Sequence, residues 1–456
     1  MTTQKKFKNI FSPITIGPVE LKNRIALAPM NETMSGVNGE VTEQLVAYFG
    51  ARAKGGTALI TTGAIMATKM ASEFVYGRNM HCFHLGHLQG LYRLTERVHH
   101  FGAKISAQMS IGFGRQGHSY DHSKKAPAPT AGLPYEMPLD SVPNGMDGGF
   151  RMAELEREFL TGQMTREMSI DEIHREQKEY AGSCQLAVKA GFDVIEIHGP
   201  HGYLEHEFLS PFSNKRTDMY GGEWRNRKRF LNEAMEQVRY ACPGVAVGVR
   251  ISAEEHMEGG LTEEEMIDLA QDLEARGADF ISLSDGAGYE ETGHLITDMD
   301  KSKHIPAHGA AFKKALNIPV IIASQHDPKK IEANIAAGMY DMQALGRQLF
   351  CDPEYVNKLA SGRAKEIVRC VRCNTCLLRT LIGITPACEH NPRLGREYMF
   401  DDYKLGEWQE HELLVPEGLI RAPMPSLNTP WWKKEMDFME KGWRKPQGRM
   451  LESKKK

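Results

Sequence analysis

Eight short apolar runs recur along the chain, separated by longer stretches with helical spacing. They are IALAP (Ile25–Pro29), ALITTG (Ala58–Gly63), KISAQM (Lys104–Met109), DVIEIH (Asp193–His198), AVGVRI (Ala246–Ile251), FISLS (Phe280–Ser284), VIIAS (Val320–Ser324) and MQALG (Met342–Gly346). Apolarity within each run is continuous rather than alternating, which marks strands buried on both faces. The helical stretches between them imply parallel pairing. Four runs are entered through a glycine placed to end the preceding helix, in KGGTALI, KAGFDVIEI, ARGADFISL and AAGMYDMQAL. A helix, glycine, strand unit recurring in this way predicts an α/β fold of the (β/α)8 TIM-barrel type. A doubly wound open sheet is the competing arrangement, but the G-x-G-x-x-G turn it carries after its first strand is missing after Ile25–Pro29.

The intervening segments carry their own stop and start signals. TEEEMIDLAQDLEARG opens with Thr262 as N-cap and Glu265 three residues on, a capping box, and ends at Gly277. The helix within Met168 to Gly191 begins at Ser169 or Asp171 and feeds directly into DVIEIH. Between the third and fourth runs lies a long insertion, 117–165, rich in Pro, Gly, Met and acidic residues. Insertions after barrel strands fall on the catalytic rim, so this one reads as a lid or pocket wall, with an oligomer contact as the plainer alternative.

In such a barrel the residues at the C-terminal ends of the strands converge. Here they include Pro29, Met30, Asn31, Gly63, Gln108, His198, His201, Tyr203, Arg250, Ser324, Gln325, Gly346 and Arg347. The stretch DVIEIHGPHGY, Asp193 to Tyr203, is the densest in chemistry, with two histidines and a tyrosine just past a buried strand. These are either a presented site or histidines capping a plain strand-to-helix turn. The loops after the seventh and eighth strands carry SQHD and GRQ, which suit a phosphorylated cofactor. Gln108 and Arg250 could hydrogen-bond the carbonyl-rich edge of a planar ring.

Net charge is −3 over 456 residues, which gives nucleic acid or an anionic membrane no general electrostatic attraction. The opening MTTQKKFKNIFSPI has no apolar signal core and no stretch is long enough to span a bilayer, so a cytoplasmic protein is expected. Of eight cysteines, four crowd into Cys370-x2-Cys373-x2-Cys376-x11-Cys388. In a reducing compartment that spacing binds a [4Fe–4S] cluster, with zinc as the alternative. A cluster there could pass single electrons to a cofactor in the barrel.

FSPITIGPVELKNRIALAPMNET, VTEQLVAYFGARAKGG, EIHGPHGYLEHEFLSPFSNKRTDMYGGEWRNRKRF, ALGRQLFCDPE and the cysteine segment together resemble the old yellow enzyme family. The match is to its flavin and iron–sulfur branch, with 2,4-dienoyl-CoA reductase, 2-enoate reductase and trimethylamine dehydrogenase, over roughly the first 395 residues. The resemblance implies FMN on the barrel mouth, its ring held by Pro29, Met30, Asn31, Gly63, Gln108 and Arg250. It places the phosphate on the backbone of Ser324, Gln325, Gly346 and Arg347, and the cluster on Cys370, Cys373, Cys376 and Cys388. His198 and His201 would polarise the carbonyl of an α,β-unsaturated substrate, and Tyr203 would protonate the α-carbon after hydride transfer. The implied activity is ene-reduction of an enone, steroid or enoate in an anaerobic metabolism. An amine or betaine dehydrogenase, or a non-catalytic electron-transfer subunit, is the alternative.

Two departures from the family pattern carry expectations of their own. Ser324-Gln325-His326 stands where relatives often have Gly-Gly, and Ile111 stands where many have histidine, which implies a more apolar pocket there. The expected organisation is an FMN barrel over 1–365, an iron–sulfur segment over 366–396 and an arm over 397–456 docking through Trp431, Trp432 and Trp443. The larger relatives append FAD- and NAD(P)-binding domains, and the arm is too short for one. The expected reductant is therefore a separate electron-donor protein, or NAD(P)H acting directly, in a homo-oligomer.

Overall fold

The computed structural model describes residues 6–400 apart from 76–77, 120, 136–161, 288–304 and 382. Eight parallel strands follow one another around a closed barrel in chain order: β1 (Ile25–Leu27), β2 (Leu59–Thr61), β3 (Lys104–Ser110), β4 (Val194–His198), β5 (Ala246–Ser252), β6 (Phe280–Ser284), β7 (Val320–Ile322) and β8 (Met342–Leu345). Pairing of β8 with β1, Gln343 with Ile25 through Leu345 with Leu27, closes the ring. Every residue of β1, β2 and β4 to β8 is buried, as continuous apolarity requires of strands covered on both faces. The (β/α)8 expectation is met strand for strand.

Among the described residues seven longer helices line the outside: α1 (Glu43–Lys54), α2 (Leu88–His100), α3 (Ile170–Lys189), α4 (Arg229–Ala241), α5 (Glu263–Ala275), α6 (Ile305–Ala315) and α7 (Pro328–Ala336), and the short α8 (Arg347–Cys351) follows β8. Ser169, not Asp171, opens α3, its Oγ accepting from the Glu172 N–H at 3.2 Å, and the Thr262–Glu265 capping box opens α5. The four glycines predicted to end helices, Gly56, Gly191, Gly277 and Gly338, have φ of +97°, +94°, +94° and +70°. That left-handed conformation lets the chain leave the helix and turn into the barrel at little cost.

Two cores result. The larger packs the helices on the barrel, and a smaller one fills the bore. The antiparallel hairpin of Ile14–Ile16 and Val19–Leu21 contributes Ile16, Val19 and Leu21 to the bore core and so plugs the end opposite the strand C-termini. The open mouth is the other end.

The ends of the insertion pair with each other, Ala126–Ala128 beside Thr165–Glu167. The middle, 136–161, expected as lid or pocket wall, lies outside the described residues, as do Trp431, Trp432 and Trp443. The last described turn, Glu397–Met399, is fixed to the barrel by an ion pair of Glu397 with Arg52. Arg52 is itself fully buried and also donates to Tyr48 O at 2.9 Å. Among the described residues no helix is long and apolar enough to cross a membrane.

Candidate active site and cysteine centre

β4 ends in His198, and the chain then turns sharply, with both His201 and Gly202 at φ +71°. Gln116 donates to His201 O at 2.7 Å and the Ile111 N–H donates to Glu205 at 2.7 Å, so the loop after β3 clamps this turn from the side. The result brings the two imidazoles together: His201 Nδ1 lies 3.3 Å from His198 Nε2. Tyr203 sits beside them, its ring centroid 5.2 Å from His198, and stands edge-on to Phe113 at 4.7 Å.

The network behind the histidines fixes their protons. Arg250 Nη2 donates to Ser284 Oγ at 3.3 Å, and Ser284 Oγ lies 2.7 Å from His201 Nε2. A guanidinium can only donate, so Ser284 accepts from it, which leaves its own proton available to His201 Nε2. His201 then carries its proton on Nδ1, aimed at His198, a tautomer assigned from the network. Burial first and the Arg250 charge second lower both histidines: His198 falls to about 3 and His201 well below its usual range. Both are neutral hydrogen-bonding rings at neutral pH. Burial pushes Tyr203 up to about 12, so the phenol keeps its proton.

Beneath this layer Gln108 donates to Glu196 at 2.7 Å across the β3–β4 pair, and burial raises the Glu196 carboxyl. Arg250 Nε and His198 Nδ1 are buried without a hydrogen-bond partner. Such orphaned groups in a barrel mouth are what a ring with a hydrogen-bonding edge would satisfy. Pro29, Met30 and Asn31 form a half-buried rim above, and the Gly63 N–H donates to Glu32, whose buried carboxyl is pushed up to about 8.

Across the mouth, Ser324 holds φ +76°, a left-handed conformation where relatives often place glycine. Ser324 therefore carries a left-handed strain that a glycine would avoid. Arg372 Nη2 donates to Ser324 O at 3.2 Å, and Arg347 Nη1 donates to Asn374 at 2.6 Å. After burial, these two cations are what lower His326 to about 3. A loop of half-buried Ser324 and Gln325, with the Arg372 guanidinium on Ser324 O and Arg347 near enough to act on His326, suits a dianionic phosphate.

Cys370, Cys373, Cys376 and Cys388 line one pocket together with Arg347 and His390. Arg372 and Asn374, at φ +59° and +62°, wrap the chain around it. The Arg372 N–H donates to Cys370 Sγ and the Thr375 hydroxyl to Cys373 Sγ, each at 3.4 Å. Four sulfurs around one space, with donors aimed at them, fit a four-thiolate metal centre. Cys351 in α8, which in the sequence looks isolated, hydrogen-bonds Cys388 and holds that thiol below its usual range.

Sequence reasoning missed several of these partners. It took no site residue from FISLS, although Ser284 ends that strand as His198 ends β4. It read Arg372 only as a spacer between cysteines. Ile111 requires a correction: it is 0% exposed in the main core, so it makes the pocket wall no more apolar. Its N–H donates to Glu205 at 2.7 Å and the Leu204 N–H donates to Gly112 O at 3.2 Å, which ties this stretch to the Tyr203 turn.

Comparison with known proteins agrees with this geometry. The NADH:flavin oxidoreductase / NADH oxidase family matches residues 9–366. A NADH oxidase of Thermoanaerobacter brockii is 33% identical over 421 residues, 90% of this chain and 60% of that protein. A cinnamate reductase of Clostridium sporogenes is 32% identical over 438 residues, 91% of this chain and 62% of that one. The chain thus spans about three fifths of the length of these curated relatives. A structure of a 2-naphthoyl-CoA reductase complex superposes with a TM-score of 0.76 at 26% identity, covering 86% of this chain and 58% of that chain.

Proposed function

The chain belongs to the NADH:flavin oxidoreductase / NADH oxidase family, in its old yellow enzyme-like branch, and we propose that it reduces an activated C=C bond of the enone, steroid or enoate type. The observation that carries this reading is the pair of neutral histidines, 3.3 Å apart, with the protonated Tyr203 beside them. When bound, FMN supplies the hydride, and a [4Fe–4S] cluster supplies single electrons to the flavin.

The chain's own residues do the rest. Gln108 and Arg250 would meet the ring, while Ser324, Gln325, Gly346 and Arg347, with Arg372 behind them, would hold the phosphate. A substrate carbonyl oxygen at the pair would accept from His201 Nδ1–H in place of His198 Nε2, which faces that nitrogen here, so negative charge growing on that oxygen meets a preorganised donor. The imidazoles do not transfer protons, because their depressed affinity keeps them neutral. Tyr203 gives its proton to the α-carbon, and Phe113 keeps the ring facing the histidines.

An anaerobic single turnover of photoreduced holoprotein with cinnamate or 2-cyclohexenone tests the assignment. Tyr203→Phe should form the saturated product more slowly by about 100-fold or more, the range of a lost general acid. Unchanged product formation would remove Tyr203 from the reaction, and an absence of saturated product in the parent protein would reject ene-reduction altogether.

A further inference from the structure

A second group of ligating side chains lies on the same rim, past β5 and β6, and takes no part in the chemistry above. Glu254 and His256 leave the end of β5 and His308 comes from α6. Each brings one ligand atom within 4.8 Å of the other two. They lie far apart in sequence, so no spacing announces them.

Each histidine is already oriented by a carboxylate on its other side. His256 Nε2 lies 2.6 Å from Oδ1 of Asp285, whose side chain is wholly buried, and His308 Nδ1 bonds Glu263. A carboxylate on the far nitrogen fixes the tautomer and raises the basicity of the near one, the arrangement that accompanies metal-bound imidazole. The strongest sign is His308 itself. It is only 8% exposed, Glu263 occupies its Nδ1, and its Nε2 is buried with no hydrogen-bond partner. A buried ring nitrogen left unpaired carries a desolvation cost that a ligand would remove.

We propose that Glu254, His256 and His308 bind a divalent transition metal, zinc foremost, as a His2Glu site, with Asp285 and Glu263 holding the imidazoles. Two imidazoles and one carboxylate favour zinc or its neighbours over magnesium or calcium, which prefer all-oxygen shells. Tetrahedral bonds of zinc length put ligand atoms about 3.3–3.5 Å apart. Glu254 Oε2 and His256 Nδ1 are at 3.6 Å, and both side chains are more than one-third exposed, so the remaining closure takes only their rotation towards His308. The metal would tie the loop after β5 to α6 and leave a fourth position for water. None of the three ligands is among the residues assigned to the flavin reaction, although Asp285 directly follows Ser284 in the chain.

The test uses the full-length holoprotein, prepared anaerobically. Crystals soaked in zinc chloride should show an anomalous peak at the zinc edge within bonding distance of Glu254, His256 and His308, separate from the cysteine centre. In solution, titration against a chromophoric chelator should show one zinc equivalent that His256→Gln and Glu254→Gln each remove. Both replace partly exposed side chains, so folding should be retained. Asp285→Asn should weaken that equivalent 10- to 100-fold, the usual effect of losing a metal ligand's supporting carboxylate. Zinc found only at the cysteines, or the same stoichiometry in parent and variants, would overturn the proposal.

Discussion

Ser284→Ala removes one hydroxyl from the centre of the proposed oxyanion network. The hydroxyl accepts from Arg250 Nη2 at 3.3 Å and faces His201 Nε2 at 2.7 Å. Without it nothing recorded among the described residues holds the His201 proton on Nδ1, and the ring is free to populate the tautomer that offers Nδ1 as an acceptor. A hydrogen bond of this kind contributes about 1–1.5 kcal/mol net, so the productive tautomer should lose roughly 5- to 10-fold in relative population. Poorer ring orientation adds to that, within the ceiling of about 100- to 1000-fold set by removing one oxyanion donor outright. The expected result is a 10- to 100-fold slower reoxidation of reduced holoprotein by an enone in anaerobic stopped flow, with rescue by Ser284→Thr. The ¹⁵N shifts of His201 should move from the Nδ1–H pattern towards a mixture, a change that a merely structural role for the serine would not produce. Unchanged rate and unchanged ¹⁵N shifts together would refute the relay.

Three further outcomes follow from the geometry. Glu205 is pushed up to about 8 by burial, from 4.5, so the folded state holds more protons than the unfolded one between those values. Its stabilising contribution is complete below 4.5 and is lost as pH rises through 8, and thermal unfolding of Glu205→Gln should show a smaller fall between pH 5 and pH 8.5 than the parent. Ser324→Val should cost about 1–2 kcal/mol of stability, because a β-branched residue at φ +76° is strained, and should weaken flavin retention on gel filtration, whereas Ser324→Gly should do neither. Cys388→Ser should lower iron content, while Cys351→Ala should keep about four irons per chain and shift the cluster's reduction potential downward, since it removes a hydrogen bond to a sulfur.

The barrel was legible because its strands are covered on both faces, and such strands read as unbroken apolar runs between glycine-terminated helices. The turn at His201 was legible too, since two histidines and a tyrosine crowd behind one strand. What the chain order hides is convergence. Ser284 ends a run whose serines look like ordinary barrel lining. Arg372 acts on the Ser324 carbonyl from a separate segment, and Cys351 meets Cys388 outside the C-x2-C spacing. Ile111 shows the opposite error: similarity at one position pointed to a pocket residue, but its side chain is wholly buried in the main core. Glu254, His256 and His308 arrive from two loop and helix positions whose proximity depends on the barrel's closure.

In the proposed reaction the histidine pair and Tyr203 serve reduction of an activated double bond. The most direct measurement mixes photoreduced, anaerobic holoprotein with a C=C acceptor panel of cinnamate and 2-cyclohexenone, and with trimethylamine added to the oxidised form as a contrast. The flavin spectrum is followed and the products are identified. Ene-reduction gives rapid flavin reoxidation with one saturated product per flavin, and no bleaching of the oxidised flavin by the amine. Bleaching by the amine, with no reoxidation by either unsaturated compound, would contradict it.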